Sequence, residues 1–220
     1  MPNWTFNEIV FPDKDTFNKY VVNGNFDFNN IIPMPKELKR TISGGRIDEC
    51  IDLYNLSNMK LDEFKKKHRS YSITINSRTT KKEIKGKLLR LIGDNPVMFN
   101  DEEHYYPREE GKLGLLRIPE DYGHTGYEIG EYYVSLIKKY GYYNQYDWSI
   151  ANWGTKWNAC DVDITEDFLS IRFDIAWSCP EEIFKKICKD NPDKKIEFYC
   201  DYEDGGSFTY YNSDGVLILE

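Results

Sequence analysis

The chain has 220 residues, with 29 Lys and Arg against 37 Asp and Glu, for a formal net charge of −8. No run approaches the roughly 18 apolar residues that a membrane span needs, and a hydrophobic content of 40% excludes a chain too polar to fold. A pI near 5.1 excludes a protein that is basic over its whole surface and built to neutralise nucleic-acid phosphates.

Residues 3–11, NWTFNEIVF, alternate with Trp4, Phe6 and Glu8 on one face and Thr5, Asn7 and Ile9 on the other, which predicts a strand. Asp13 caps a short predicted helix with Phe17, Tyr20 and Val21 at helical spacing. In NFDFNNIIPMP, Phe26, Phe28 and Ile31-Ile32 read as strand, and Pro33 and Pro35 then force an extended turn. From residue 41 to 147 the texture is helical. Ile47, Ile51 and Tyr54 share a face, and Leu61 and Phe64 begin a short helix that ends in the basic cluster Lys65-Lys66-Lys67-His68-Arg69. YSITI (71–75) reads as strand or helix lead-in. Thr79 or Thr80 caps a helix with Ile84, Leu88 and Leu91 inward; its Lys81, Lys82, Lys85, Lys87 and Arg90 read as a solvated face. Residues 94–127 read as loop, and Glu128–Tyr140 as helix stopped by Gly141.

From Ser149 the chain becomes β-rich. ACDVDIT (159–165) and FLSIRFDIAW (168–177) alternate, and Ser178 is expected to cap a helix with Pro180 near its first position. KIEFYCDYE, SFTYYN and VLILE then form a meander joined by Asp204-Gly205-Gly206 and Ser213-Asp214-Gly215. The predicted class is α+β, a ferredoxin-like antiparallel sheet with helices on one face, plus a helical insertion. The core is expected at 1–40 and 148–220, and the insertion at 41–147. The five cysteines (Cys50, Cys160, Cys179, Cys188, Cys200) are odd in number and lack a C-x-x-C pair. The N-terminus lacks a signal-peptide pattern, so free thiols and the cytoplasm are expected. His68, His104 and His124 are too scattered for a metal, and no cofactor is expected.

Asn3-Trp4, FNNIIPMPKEL (28–38), NWGTKW (152–157), AWSCP (176–180) and the run through Tyr202, Gly206 and Phe208 resemble the YubB-type ferredoxin-like proteins of phages, prophages and plasmids. The resemblance covers the first 40 residues and about the last 70. It departs at Thr5, where that family usually has Cys, and at Cys179, where it usually has Pro; Thr5 argues against thiol chemistry at that position. The resemblance implies a genetic context and no particular reaction.

Chemistry concentrates in NWGTKW. Gly154 lets a backbone N–H approach a ligand closely, Thr155 offers a hydroxyl, Lys156 a charge, and Trp153, Trp157 and Trp148 offer stacking faces. With Tyr143 and Tyr146 these residues form the candidate ligand site, a kit suited to a nucleobase and its phosphate. The competing reading puts the Trp residues in the core and Gly-Thr-Lys in a solvated turn. Asp161 and Asp163 are expected to share a strand face, with Asp174 on the neighbouring strand; an exposed polar face competes there with acid–base work. Phe198, Tyr202, Phe208 and Tyr210 fall at period two, with Tyr199 and Tyr211 on the other face, as core, subunit interface or stacking platform. The expected function is a mobile-element-encoded, non-catalytic binding protein that sequesters a nucleotide-like small ligand or a host protein, as in counter-defence. Alternatives are an enzyme on nucleotides or nucleic acid using Asp161, Asp163 and Lys156, and a homo-oligomeric accessory protein. Neither a membrane nor a nucleic acid is an expected partner.

Overall fold

The computed structural model describes residues 3–41, 46–94, 106–109, 112–114 and 122–220. They form two compact units, a sheet unit (Met1–Pro35 with Tyr146–Glu220) and a helical unit (Lys36–Gln145).

In the sheet unit, the alternation in NWTFNEIVF produces β1 (Trp4–Val10), with Thr5, Asn7 and Ile9 buried, and Asp13 caps the short α1 (Lys14–Asn18) that follows. β1 pairs antiparallel on one side with β5 (Ser170–Ala176) and on the other with β6 (Glu197–Tyr202). β4 (Cys160–Thr165) lies outside β5, and β7 (Ser207–Ser213) and β8 (Val216–Leu219) extend beyond β6, giving the order β4-β5-β1-β6-β7-β8. Because β5 and β6 both run against β1, they are parallel to each other. The helix between them, α7 (Glu181–Asp190), therefore crosses over β1 in the split β-α-β manner of a ferredoxin-like fold. α7 buries Ile183, Phe184, Ile187 and Cys188, and the Phe184 ring stacks on Phe198 of β6 at 4.5 Å. Burying one such aromatic side chain stabilises the fold by about 2–3 kcal/mol.

Several local expectations change. Phe26 and Phe28 are not strand residues: Phe28–Asn30 is a single helical turn, because Asp27 accepts the Asn29 backbone N–H at 2.7 Å. Their rings are fully buried against Phe173, at 5.0 and 5.6 Å. Ser178 does not cap α7. Its hydroxyl donates to the Gly154 carbonyl at 2.7 Å, and Pro180 occupies the cap position. Of the five cysteines expected free, Cys179 and Cys200 form a disulfide that ties the loop before α7 to β6, while Cys50, Cys160 and Cys188 remain thiols. The partners are 21 residues apart in sequence, a span that spacing alone could not single out among five candidates.

In the helical unit, α2 (Ile47–Asn58) packs against α4 (Lys81–Asp94) and α5 (Tyr122–Tyr140), with the short α3 (Leu61–Lys67) following α2. A hairpin of β2 (Tyr106–Glu109) and β3 (Lys112–Gly114) lies between α4 and α5 in the chain. α5 starts six residues earlier than its glycines suggested. A Cβ at Gly130 would collide with the Cys50 carbonyl and sit 2.9 Å from the Tyr54 Cβ, so this glycine is where α5 and α2 meet. YSITI is neither strand nor helix. His68 anchors it by spanning Asp52 Oδ2 at 2.7 Å and the Ile73 carbonyl at 3.2 Å. The rest of the expected loop 94–127 lies largely outside the described residues. Among the described residues no helix is long and apolar enough to cross a membrane.

Two stability predictions follow from the sheet unit. The Thr5 hydroxyl is fully buried without a hydrogen-bond partner, so Thr5→Val should raise unfolding stability by about 1 kcal/mol; a denaturant midpoint that falls would contradict this. Reducing Cys179–Cys200 should lower stability by about 3 kcal/mol, the loop-closure entropy returned to the unfolded chain. Chemical denaturation with and without a thiol reductant measures it, and an unchanged midpoint speaks against the bond.

Candidate binding surface on the open sheet face

The NWGTKW motif begins in the last two residues of α6 (Gln145–Trp153) and turns from Gly154. Trp153 is buried. Its indole N–H donates to the Ile32 carbonyl at 2.9 Å, and its ring meets Phe28 and Trp148 edge-on at 5.7 and 5.5 Å. Trp148 is likewise buried. Thr155 is fully buried, donating to the Ala176 carbonyl at 3.0 Å. The Ser149 hydroxyl donates to the Lys156 carbonyl at 3.0 Å. The turn is thus bolted to the end of β5, and Trp148, Trp153 and Thr155 are packed into the core. Gly154 adopts φ +83°, and a Cβ there would lie 3.0 Å from the Glu181 N and 3.2 Å from the Cys179 carbonyl oxygen. Its glycine is spent on close packing against the start of α7.

Trp157 is the exposed residue of this motif, and Asn152, Gly154 and Lys156 are half-buried. The Lys156 ammonium lies 4.6 Å from the Trp157 ring centroid and 5.1 Å from that of Trp177. Trp157 and Trp177 are 41% and 52% exposed, and Trp157 packs against Trp4 at 5.8 Å. Trp177 holds φ +76°, a left-handed conformation that costs a side-chain-bearing residue on the order of 1–2 kcal/mol. Of the remaining candidates, Tyr146 is exposed on α6. Tyr143 belongs to the helical unit, where its hydroxyl donates to Asp48 at 3.0 Å.

Trp4 leads onto a larger surface. It shares its face of β1 with Phe6, 46% exposed, and with Glu8. The strand register sets Asp174, Phe6, Asp201 and Ser207 in one row across the sheet, and Asp163, Arg172, Glu8, Tyr199 and Thr209 in the next. All of these residues except Asp163 line a shallow depression of about 480 Å³ that includes Phe6. Arg172 Nε is 3.0 Å from Glu8 Oε1, so the one cation of these rows is matched locally. Asp161, Asp163, Asp174 and Asp201 stay in excess. Asp161 and Asp163 do not share a regular strand face: β4 bulges between Cys160 and Asp163, and Asp161 takes φ +48° at the irregularity. The bulge brings Asp161 to the edge of the depression. Burial, and then the Asp161 charge, raise the Asp174 carboxyl above the usual aspartate value. The Tyr199 hydroxyl donates to Glu197 at 2.6 Å, which with burial pushes its pKa up to about 12.

Sequence reasoning missed Trp4, Phe6 and Trp177 as surface residues. A usable signal existed for the first two: at period two, Trp4 and Phe6 fall on the same face as Glu8, and a carboxylate marks the solvent side. The turn itself is testable. Gly154→Ala should lose about 2 kcal/mol of stability, read as a lower melting temperature; an unchanged melting temperature would show that the turn can relax.

Residues 152–217 match the model of a ferredoxin-like domain in Api92-like protein. A similar solved structure is the crystal structure of a protein api92 from Yersinia pseudotuberculosis, at 12% identity and a TM-score of 0.43, over 100% of this chain and 97% of that chain. No curated protein matches the chain. The fold is α+β and ferredoxin-like, and the segment from the end of α6 into β8 is similar to the domain of Api92-like proteins.

Proposed function

We propose that the protein is a non-catalytic binding protein that captures a host protein on the open face of its sheet. The observation behind this reading is the aromatic set of exposed Trp177, Trp157 and Phe6 with half-buried Trp4, in which Phe6 lies beside uncompensated carboxylates. Trp, Tyr and Phe supply most of the energy at protein interfaces, and clustered exposed aromatics mark such surfaces. Two occupants were expected, a nucleotide-like ligand and a host protein, and the charge favours the protein. Carboxylates around Phe6 repel phosphate, and the Lys156 ammonium is already spread over two indole faces. A partner presenting Arg or Lys meets both the carboxylates and the rings. A second copy docked face to face would set the same carboxylates against one another. The enzyme alternative loses support because Lys156 does not line the depression that Asp161 borders. The resemblance to proteins of phages and plasmids supports a partner in the host cell, and with it a counter-defence role.

The test is affinity capture from host extract with the wild-type chain and with Phe6→Ala and Trp157→Ala, each first shown to melt like the wild type. Discrete proteins retained by the wild type should fall at least tenfold with either variant, and a nucleotide library should leave the melting temperature unchanged. Identical retention by all three chains would contradict the reading. So would a nucleotide-induced stabilisation lost in Trp157→Ala. Because the Asp174 carboxyl protonates above the usual aspartate value of 3.8, its contribution to capture is present at pH 7 and should fade on acidification before an ordinary aspartate would titrate.

A further inference from the structure

We infer that the helical unit carries a second, independent binding surface, for the phosphodiester backbone of single-stranded nucleic acid. Residues 60–90 hold eleven Lys and Arg against three acids, Asp62, Glu63 and Glu83, in a chain whose net charge is −8. Two depressions sit among them. One of about 420 Å³ is lined by Ser72, Thr74, Lys87 and Arg90, with Ile73 and Leu91. The other, of about 280 Å³, is lined by Asn76, Arg78, Thr79 and Glu83, and Lys87 borders both.

Local structure holds these donors in place. Ile84 and Leu88 of α4 face the core, which turns Lys87 and Arg90 toward the loop 69–79. That loop is preorganised. His68 holds the Ile73 carbonyl, the Ser70 N–H donates to Asp52 at 3.2 Å, and the Ser72 N–H donates to the Ser70 hydroxyl at 3.2 Å. Lys65 donates to the Ser77 carbonyl at 2.9 Å, so α3 contributes charge beside the second depression. The acid in the lining is engaged elsewhere: Glu83 accepts the Thr80 N–H and hydroxyl, both at 2.7 Å, in a capping box at the start of α4. Among the described residues no carboxylate lies within ion-pair distance of Lys87 or Arg90. Hydroxyls beside Lys87 and Arg90, neither held in a close ion pair, suit phosphate oxygens, with Glu83 the carboxylate acting on Lys87 across the second depression. Tyr71, fully exposed next to Ser72, offers a ring on which an unpaired base can stack. The basic stretch extends past the depressions through Lys81, Lys82 and Lys85, more charge than one mononucleotide engages, which favours a strand.

The test is fluorescence anisotropy of the full chain with a labelled oligothymidylate of about twenty nucleotides, across about 50–200 mM salt. The inference expects binding at low salt that weakens steeply as salt rises, which tests the charge without any substitution. It expects Lys87→Gln/Arg90→Gln to weaken binding about tenfold or more and to reduce the salt slope by about 1.4, the value for two lost phosphate contacts. Tyr71→Ala should weaken binding without changing that slope. Absence of binding at low salt would overturn the inference, as would a double variant that binds like the wild type. Full competition by ATP, with no dependence on oligonucleotide length, would overturn the strand in favour of a nucleotide site. None of these outcomes involves Phe6 or Trp157, so the sheet-face proposal stands or falls separately.

Discussion

The sheet unit depends on the position of β1 between β5 and β6. A strand paired on both sides must satisfy its backbone through its neighbours, so its side chains divide strictly between two faces. One face takes Thr5, Asn7 and Ile9 into the core beneath α7. The other is left with Trp4, Phe6 and Glu8. A slip of one residue would exchange the two sets, and the packing of Phe173, Phe198 and Phe184 under the sheet holds the register against it. The exposed aromatics are thus a consequence of core packing: burying Ile9 at this register obliges Phe6 to face water.

This division also sorts the aromatic excess of the chain. Phe26, Phe28, Trp148, Trp153, Phe173, Phe184 and Phe198 close the core of the sheet unit. Trp157, Trp177 and Phe6 do not. Phe6 lies among carboxylates instead, and Lys156 lies over the two indoles. Charge is sorted in the same way. A net value of −8 averages an acidic sheet face with a basic stretch at 60–90, and the mean describes neither.

Much of this was legible in the sequence, for definite reasons. Alternation found β1, β4, β5 and the final meander because each has one buried and one solvated face. Helical spacing found the core face of α7 through Ile183, Phe184 and Ile187. What failed was local chemistry that mimics something else. Asp27 turned an apparent strand into a helical turn, and the first turns of α5 were read as loop. Cys179 found Cys200 through a loop whose path no spacing reveals. At the candidate site, NWGTKW was singled out for ligand chemistry, and Trp153, Gly154 and Thr155 are packed into the turn itself. Period two places Trp4 beside Phe6, and Glu8 on the same face marks it as the wet one, while the exposure of Trp177 depends on its left-handed backbone, a tertiary fact.

The central claim, that the open sheet face is the binding surface, is tested most directly by hydroxyl-radical footprinting of the chain alone and bound to a captured partner. In the free chain Phe6, Trp157 and Trp177 should react readily, in keeping with their exposure. In the complex the account predicts that these three become protected together, while Tyr71 of the helical unit stays reactive. Unchanged reactivity at Phe6 and Trp157 in a formed complex, with protection elsewhere, would contradict it.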